Sequence, residues 1–190
     1  MPDPEVVLET ELGEIALELS ATRAPRTTAW FLDVVASGAY DGCSFYRSTS
    51  LDVPSGPKLI QGGPLASVLA PSAPAVPGAR RSFELLEDFE TTARTGLRHE
   101  EGSLSLARDL LGTGHALPEL FLCLGRFAQL DTGGRSEPDD RGFPAFGRIA
   151  RGLDVAQRIA DGETNGATPV AMLAGQILTR PVRIERAFRA

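Results

Sequence analysis

Few side chains in this 190-residue chain could break or make a covalent bond. The two cysteines, Cys43 and Cys123, are too few for a disulfide framework or a zinc site. Neither has the basic neighbours that favour a thiolate, so both read as small buried hydrophobes. The two histidines, His99 and His115, fall short of most metal sites. No serine occupies a G-x-S-x-G elbow, no local pattern sets a histidine beside a nucleophile, and no phosphate loop or dinucleotide fingerprint occurs. A Cys or Ser hydrolase therefore has almost no support. What stands out is an ordered set of short segments with apolar and hydrogen-bonding side chains. They are Tyr40-Asp41-Gly42-Cys43-Ser44-Phe45-Tyr46-Arg47, Leu59-Ile60-Gln61-Gly62-Gly63, Gly102-Ser103-Leu104-Ser105-Leu106-Ala107-Arg108, Glu119-Leu120-Phe121-Leu122-Cys123 and Phe146-Gly147-Arg148-Ile149.

The elements that carry these segments are mostly strands. Ile15, Leu17 and Leu19 alternate with Ala16, Glu18 and Ser20, the period of a half-buried strand. Val6 and Leu8 do the same before Glu11-Leu12-Gly13-Glu14, which predicts an N-terminal hairpin. Ser44–Arg47, Leu59–Gly62, Ser103–Leu106, Leu120–Leu124, Ala145–Ile149 and Val182–Phe188 also read as strands. Pro25 suits the first turn of a helix whose apolar face is Trp30, Phe31, Val34 and Val35, and Gly38 is placed to end it. Trp30 is expected in the core. A second amphipathic helix follows Gly152, with Val155, Ala156, Ile159 and Ala160 clustered. Short strands, frequent turns and two helices predict a mainly β closed barrel or sandwich. We read residues 1–190 as a single domain with loop excursions near 48–58, 64–81 and 131–142.

Composition narrows the partners. Nineteen Lys and Arg against 25 Asp and Glu leave a net charge of −6 and a pI near 5.0, which argues against a grip on nucleic acid phosphates. Hydrophobic residues at 42% suffice for a core, and 14 prolines with 20 glycines fit a turn-rich β protein. No apolar run approaches the roughly 18 residues of a membrane span. The acidic start, Met1-Pro2-Asp3-Pro4-Glu5, lacks the features of a signal peptide, so the chain reads as cytoplasmic. Oligomeric state is not legible.

Taken in order, and preceded by the hairpin and the Ala24-Pro25 helix, the quoted segments resemble the cyclophilin family of peptidyl-prolyl cis-trans isomerases from about Val6 to Phe188. The resemblance implies an eight-stranded antiparallel β-barrel capped by two helices. It implies rotation of X–Pro bonds in proline-containing polypeptides, a reaction that needs no metal or cofactor. Arg47 matches the family arginine that meets the prolyl nitrogen, and Gln61 the glutamine that binds substrate backbone and helps hold that arginine. Leu59 and Phe121 match the apolar floor under the proline ring, and Ala107 a backbone contact to substrate. Phe45 falls at a matching apolar place beside the substrate and as a residue reads as core, and Glu119, Gln129 and Phe143 fall at further positions around the substrate.

Departures from the family pattern accompany these matches. Tyr46 stands where a histidine is usual, Lys58 where a phenylalanine forms one wall of the pocket, and Glu119 where a glutamine is usual. Gln129 replaces the aromatic that often borders the pocket, which predicts weak cyclosporin binding, and Phe143 replaces a histidine. The stretch Ser48–Lys58 is longer than the usual link. Two readings follow: a modest isomerase, or a catalytically weak module that binds Pro-containing peptides or a partner protein.

Overall fold

In the computed structural model, which describes residues 3–51, 53, 55–75, 84–135 and 139–190, the N-terminal alternation becomes a hairpin. Strand β1 (Glu5–Thr10) pairs antiparallel with β2 (Gly13–Leu19), from Glu5 opposite Glu18 to Thr10 opposite Gly13. Six more strands follow: β3 (Ser44–Thr49), β4 (Leu59–Gly63), β5 (Ser103–Arg108), β6 (Ala116–Cys123), β7 (Ala145–Arg151) and β8 (Ile177–Arg189). They close in the order β1-β2-β7-β5-β6-β4-β3-β8, all antiparallel. Closure leaves no sheet edge unpaired. The inward alternate residues form the core, with Leu8, Leu17, Phe45, Ile60, Leu104, Leu122 and Phe146 fully buried.

Two strands start earlier than the sequence predicts, and proline is the reason. The pattern reads β8 from Val182 and β6 from Leu120, but they begin at Ile177 and Ala116. Pro181 lies where the β3–β8 register slips, between Phe45 opposite Val182 and Arg47 opposite Ile177. Pro118 lies where the β5–β6 register slips, between Leu106 opposite Leu120 and Arg108 opposite Ala116. A missing N–H costs little where the ladder is already irregular.

Helix α1 (Pro25–Ala36) starts on its proline and ends with Gly38 at φ 71°. The N–H of Gly38 donates to Val35 and that of Ala39 to Val34, which satisfies two terminal carbonyls. At its other end the Glu90 carboxylate, from a distant loop, accepts from the backbone N–H of Arg26 at 2.8 Å and of Thr27 at 3.0 Å. The buried face is Thr27, Thr28, Phe31, Val34 and Val35. Trp30 departs from expectation: it lies partly buried at the edge of that face, its Nε1–H donating to the Glu84 carbonyl.

Two short helices, α2 (Ala66–Leu69) and α3 (Thr92–Thr95), precede α4 (Leu153–Ala160), which buries Val155, Ala156, Ile159 and Ala160 as the spacing predicts. The stretch expected as a plain loop over 64–81 thus contains α2. Its alanines Ala66, Ala70 and Ala73 pack on Tyr46 and Ile177 outside the barrel. Residues 76–81 of that stretch lie outside the described residues, as do 52 and 54 of the first excursion and 136–138 of the third.

Candidate active site

One extra residue in β3 decides which side chains face outward. On β4 and β6 the alternation is regular: Ile60 and Leu122 point into the barrel, while Leu59, Gln61, Phe121 and Cys123 lie on the outer side, with Gln61 opposite Phe121. On β3, Phe45 pairs with Gly62 and Arg47 with Gln61, so two steps on β3 span one step on β4. Tyr46 is the bulged residue. A bulge shifts the phase of the strand. Phe45 enters the core, whereas Arg47 comes out beside Gln61. Gly62 permits the close approach: a Cβ there would lie 2.7 Å from the Ser44 carbonyl and 2.9 Å from the Phe45 Cα.

The outer side holds a cleft of about 420 Å³. Along one side runs a polar line. Arg47 Nη1 donates to Gln61 Oε1 at 2.9 Å. Gln61 Nε2 donates to the Tyr46 hydroxyl at 2.9 Å, and that hydroxyl donates to Glu119 Oε2 at 2.8 Å. Glu119 Oε1 accepts the backbone N–H of Leu65. Gly63 leaves room for this carboxyl, since a Cβ there would lie 2.7 Å from Oε1. Burial pushes the Glu119 carboxyl up to about 7. It also holds the Tyr46 hydroxyl well above its usual range, with Glu119 adding to the effect. Burial lowers the Arg47 pKa, yet a guanidinium stays charged at neutral pH.

The floor of the cleft is apolar. Leu59, Phe121 and Leu130 are buried, and Leu51 and Phe143 pack on them. The Phe143 ring meets Phe121 edge-on, with centroids 5.8 Å apart. Behind Phe121 the His99 ring stacks at 5.8 Å and 14°. Its Nδ1–H donates to Asp131 at 2.8 Å, and its Nε2 meets Ser105 Oγ at 3.1 Å. Although burial would raise it, the Asp131 carboxyl is held below its usual range by the His99 hydrogen bonds. The sequence gives no sign of this Asp-His-Ser arrangement, because Asp131 and Ser105 flank His99 from different elements. His99 and Ser105 are both fully buried, so the trio braces the floor and leaves no room for a substrate carbonyl. The cysteines behave as read: both are buried, and burial pushes the Cys43 thiol up to about 12.

Seven of the nine residues singled out from the sequence line this cleft: Arg47, Leu59, Gln61, Ala107, Glu119, Phe121 and Phe143. Phe45 and Gln129 do not. Phe45 fills the barrel interior because the bulge follows it. Gln129 is half-buried on the 3-10 turn Ala128–Leu130, which offers Leu130 to the cleft instead. Lys58 also turns away. Its Nζ donates to the Ala160 carbonyl at the end of α4, at 2.9 Å, and lies 3.6 Å from Asp161. The apolar wall comes from Leu51, in a left-handed conformation with φ 53°, within the longer link after β3. Sequence reasoning missed Leu51, Leu130 and Gln176. Leu130 adjoins a position already singled out; the other two have no local pattern.

The chain matches the family model described as cyclophilin type peptidyl-prolyl cis-trans isomerase/CLD over residues 5–187. It is 29% identical over 182 residues to peptidyl-prolyl cis-trans isomerase A of Dickeya dadantii, covering 96% of this chain and 82% of that relative. It is likewise 29% identical over 163 residues to a peptidyl-prolyl cis-trans isomerase of Streptomyces antibioticus, covering 85% of this chain and 86% of the other. A solved structure of a Cryptosporidium parvum cyclophilin-type isomerase, determined in the presence of the dipeptide Ala-Pro, covers 98% of each chain with a TM-score of 0.68. At 16% identity that likeness speaks for the fold.

Proposed function

The chain belongs to the cyclophilin-type peptidyl-prolyl cis-trans isomerase family, and on that footing we propose that it isomerises X–Pro bonds of polypeptides in the cleft between Arg47 and Phe121. The observation that carries this reading is the Arg47–Gln61 hydrogen bond of 2.9 Å on the rim of an apolar floor.

The physical demand is modest in kind and specific in place. Resonance gives rotation about the X–Pro bond a barrier of roughly 18–20 kcal/mol. At the top of that barrier the amide is twisted, the prolyl nitrogen becomes pyramidal, and its lone pair is free to accept a proton donor. A donor aimed there stabilises the transition state and not the planar ground states. Among the described residues, three of the five N–H groups of Arg47 have acceptors, which leaves one N–H on each Nη for substrate. The proline ring rests on Phe121, Leu59 and Leu130, with Phe143 and Leu51 as walls. Gln61 keeps Arg47 in register with that floor, and Ala107 on the opposite rim offers backbone to the peptide.

A hydrogen bond from a charged donor is worth about 1.5–3 kcal/mol. Expressed only in the transition state, it accelerates the reaction roughly ten- to hundredfold. Arg47→Ala should therefore lower kcat/KM by that factor in a protease-coupled assay on an Ala-Pro peptide, with unfolding temperature close to wild type. A wild-type rate equal to that of Arg47→Ala would overturn the catalytic reading. If the peptide then still bound, the cleft would be a proline-peptide binding site alone.

A further inference from the structure

We propose that Gln176, immediately before β8, is a positioning residue for Arg47. It forms the second arm of a clamp whose first arm is Gln61. The inference rests on the isomerase reading above and adds a residue to it.

Gln176 Oε1 accepts from Arg47 Nε at 2.9 Å and from Arg47 Nη2 at 2.6 Å. Its Nε2 donates to the Met172 carbonyl at 2.9 Å. That last bond sets the rotation of the amide: with its NH2 turned to Met172, its oxygen must face the guanidinium. Gln61 is set in the same way, since its Nε2 is committed to Tyr46 and its oxygen is left for Arg47 Nη1. The two amide oxygens hold two different edges of one planar cation. A single acceptor would leave the guanidinium free to swing about that contact; two acceptors on separate edges fix its plane.

The backbone delivers Gln176 to this place. Ile177 pairs with Arg47 across β3 and β8, and the N–H of Ser48 donates to the Gln176 carbonyl at 2.9 Å. Register thus lays the Gln176 backbone alongside Arg47 and Ser48; Gln176 itself lies ahead of the strand, after the turn Ala171–Leu173, and its side chain reaches the guanidinium from there rather than by strand alternation. Its neutral amide orients the cation without cancelling its charge. Because a displacement of about 1 Å can cost up to a hundredfold in rate, loss of this arm should show in turnover more than in binding.

The experiment compares wild type, Gln176→Ala and Gln176→Glu, with kcat and KM taken from NMR exchange on an Ala-Pro peptide. In parallel, the Arg47 Nε–Hε signal is followed in 15N spectra and assigned through Arg47→Lys. Gln176→Ala should lower kcat by about tenfold with KM within about twofold, and should lose the protected Hε signal. Gln176→Glu keeps an acceptor but loses the N–H to Met172 and adds a charge, so it should recover the signal with kcat between the Gln176→Ala and wild-type values. If Gln176→Ala unfolds, Gln176→Met, which keeps the volume and removes the acceptor, replaces it with the same expected outcomes. Wild-type kcat in the acceptor-free variant, or an unchanged Hε signal, overturns the positioning role and leaves the isomerase reading intact. A wild type with no turnover overturns the isomerase reading, and this role with it.

Discussion

Glu119 ends the hydrogen-bonded line behind Arg47, and its protonation is tied to the stability of the fold. Its carboxyl is fully buried, and burial raises its pKa from the ordinary 4.5 to about 7. The folded chain therefore holds a proton that the unfolded chain has released once pH passes 4.5. The stability gained is fully present below pH 4.5 and is lost as pH rises through 7, on the order of 3 kcal/mol in all. Glu119→Gln removes the titration while keeping a carbonyl oxygen for the Leu65 N–H and turning an NH2 donor toward the Tyr46 hydroxyl oxygen. Urea unfolding between pH 5 and 8 should show wild type losing stability relative to Glu119→Gln. Parallel curves would contradict the shift. Lys58 teaches a complementary lesson: a residue aligned with a pocket wall can instead serve a helix end, here that of α4.

At the scale of elements, the β3 bulge converts an inward phenylalanine and an outward arginine into near neighbours in sequence. Regular alternation would have placed Phe45 and Arg47 on one face. Gly62 makes the bulge feasible by letting β3 and β4 approach where any Cβ would strike the Ser44 carbonyl. Gly62→Ala should therefore cost about 1–3 kcal/mol by overpacking. It should also lower isomerase activity by separating Arg47 from Gln61. Denaturant unfolding and the peptide assay read both effects. Helix α1 follows similar logic: its first N–H groups depend on Glu90, far away in sequence, because Ala24 at its cap offers no side-chain oxygen.

For the whole molecule, closure is the decisive property. Strand β8 pairs with β1 on one side and β3 on the other, so the C-terminal residues seal the barrel and also bring Gln176 to Arg47. A chain ending at Thr179 would expose long edges of β1 and β3 and would lose the core residues Ile184 and Ala187. It should lose its cooperative unfolding transition, as followed by far-UV circular dichroism against urea; a retained transition would show that the barrel tolerates an open seam. Among the described residues no helix is long and apolar enough to cross a membrane. The exposed ion pairs add little each: Arg148 with Glu18 joins the paired strands β7 and β2, and Arg151 with Glu5 reaches from β7 past β2 to β1.

By itself the sequence determined the hairpin, the barrel strands, α1, α4 and most of the cleft, because these rest on local periods and on an order of segments that the chain carries in plain view. Period two marks Ile15, Leu17 and Leu19 whatever they touch, and Pro25 and Gly38 mark helix ends through backbone geometry alone. Only the tertiary structure decided that Leu51 supplies a wall, that His99 braces Phe121, and that Gln176 meets Arg47. Each of those depends on a register between strands or on a loop folding back. Register is a property of two segments together, and the energy that chooses it comes from burying both at once.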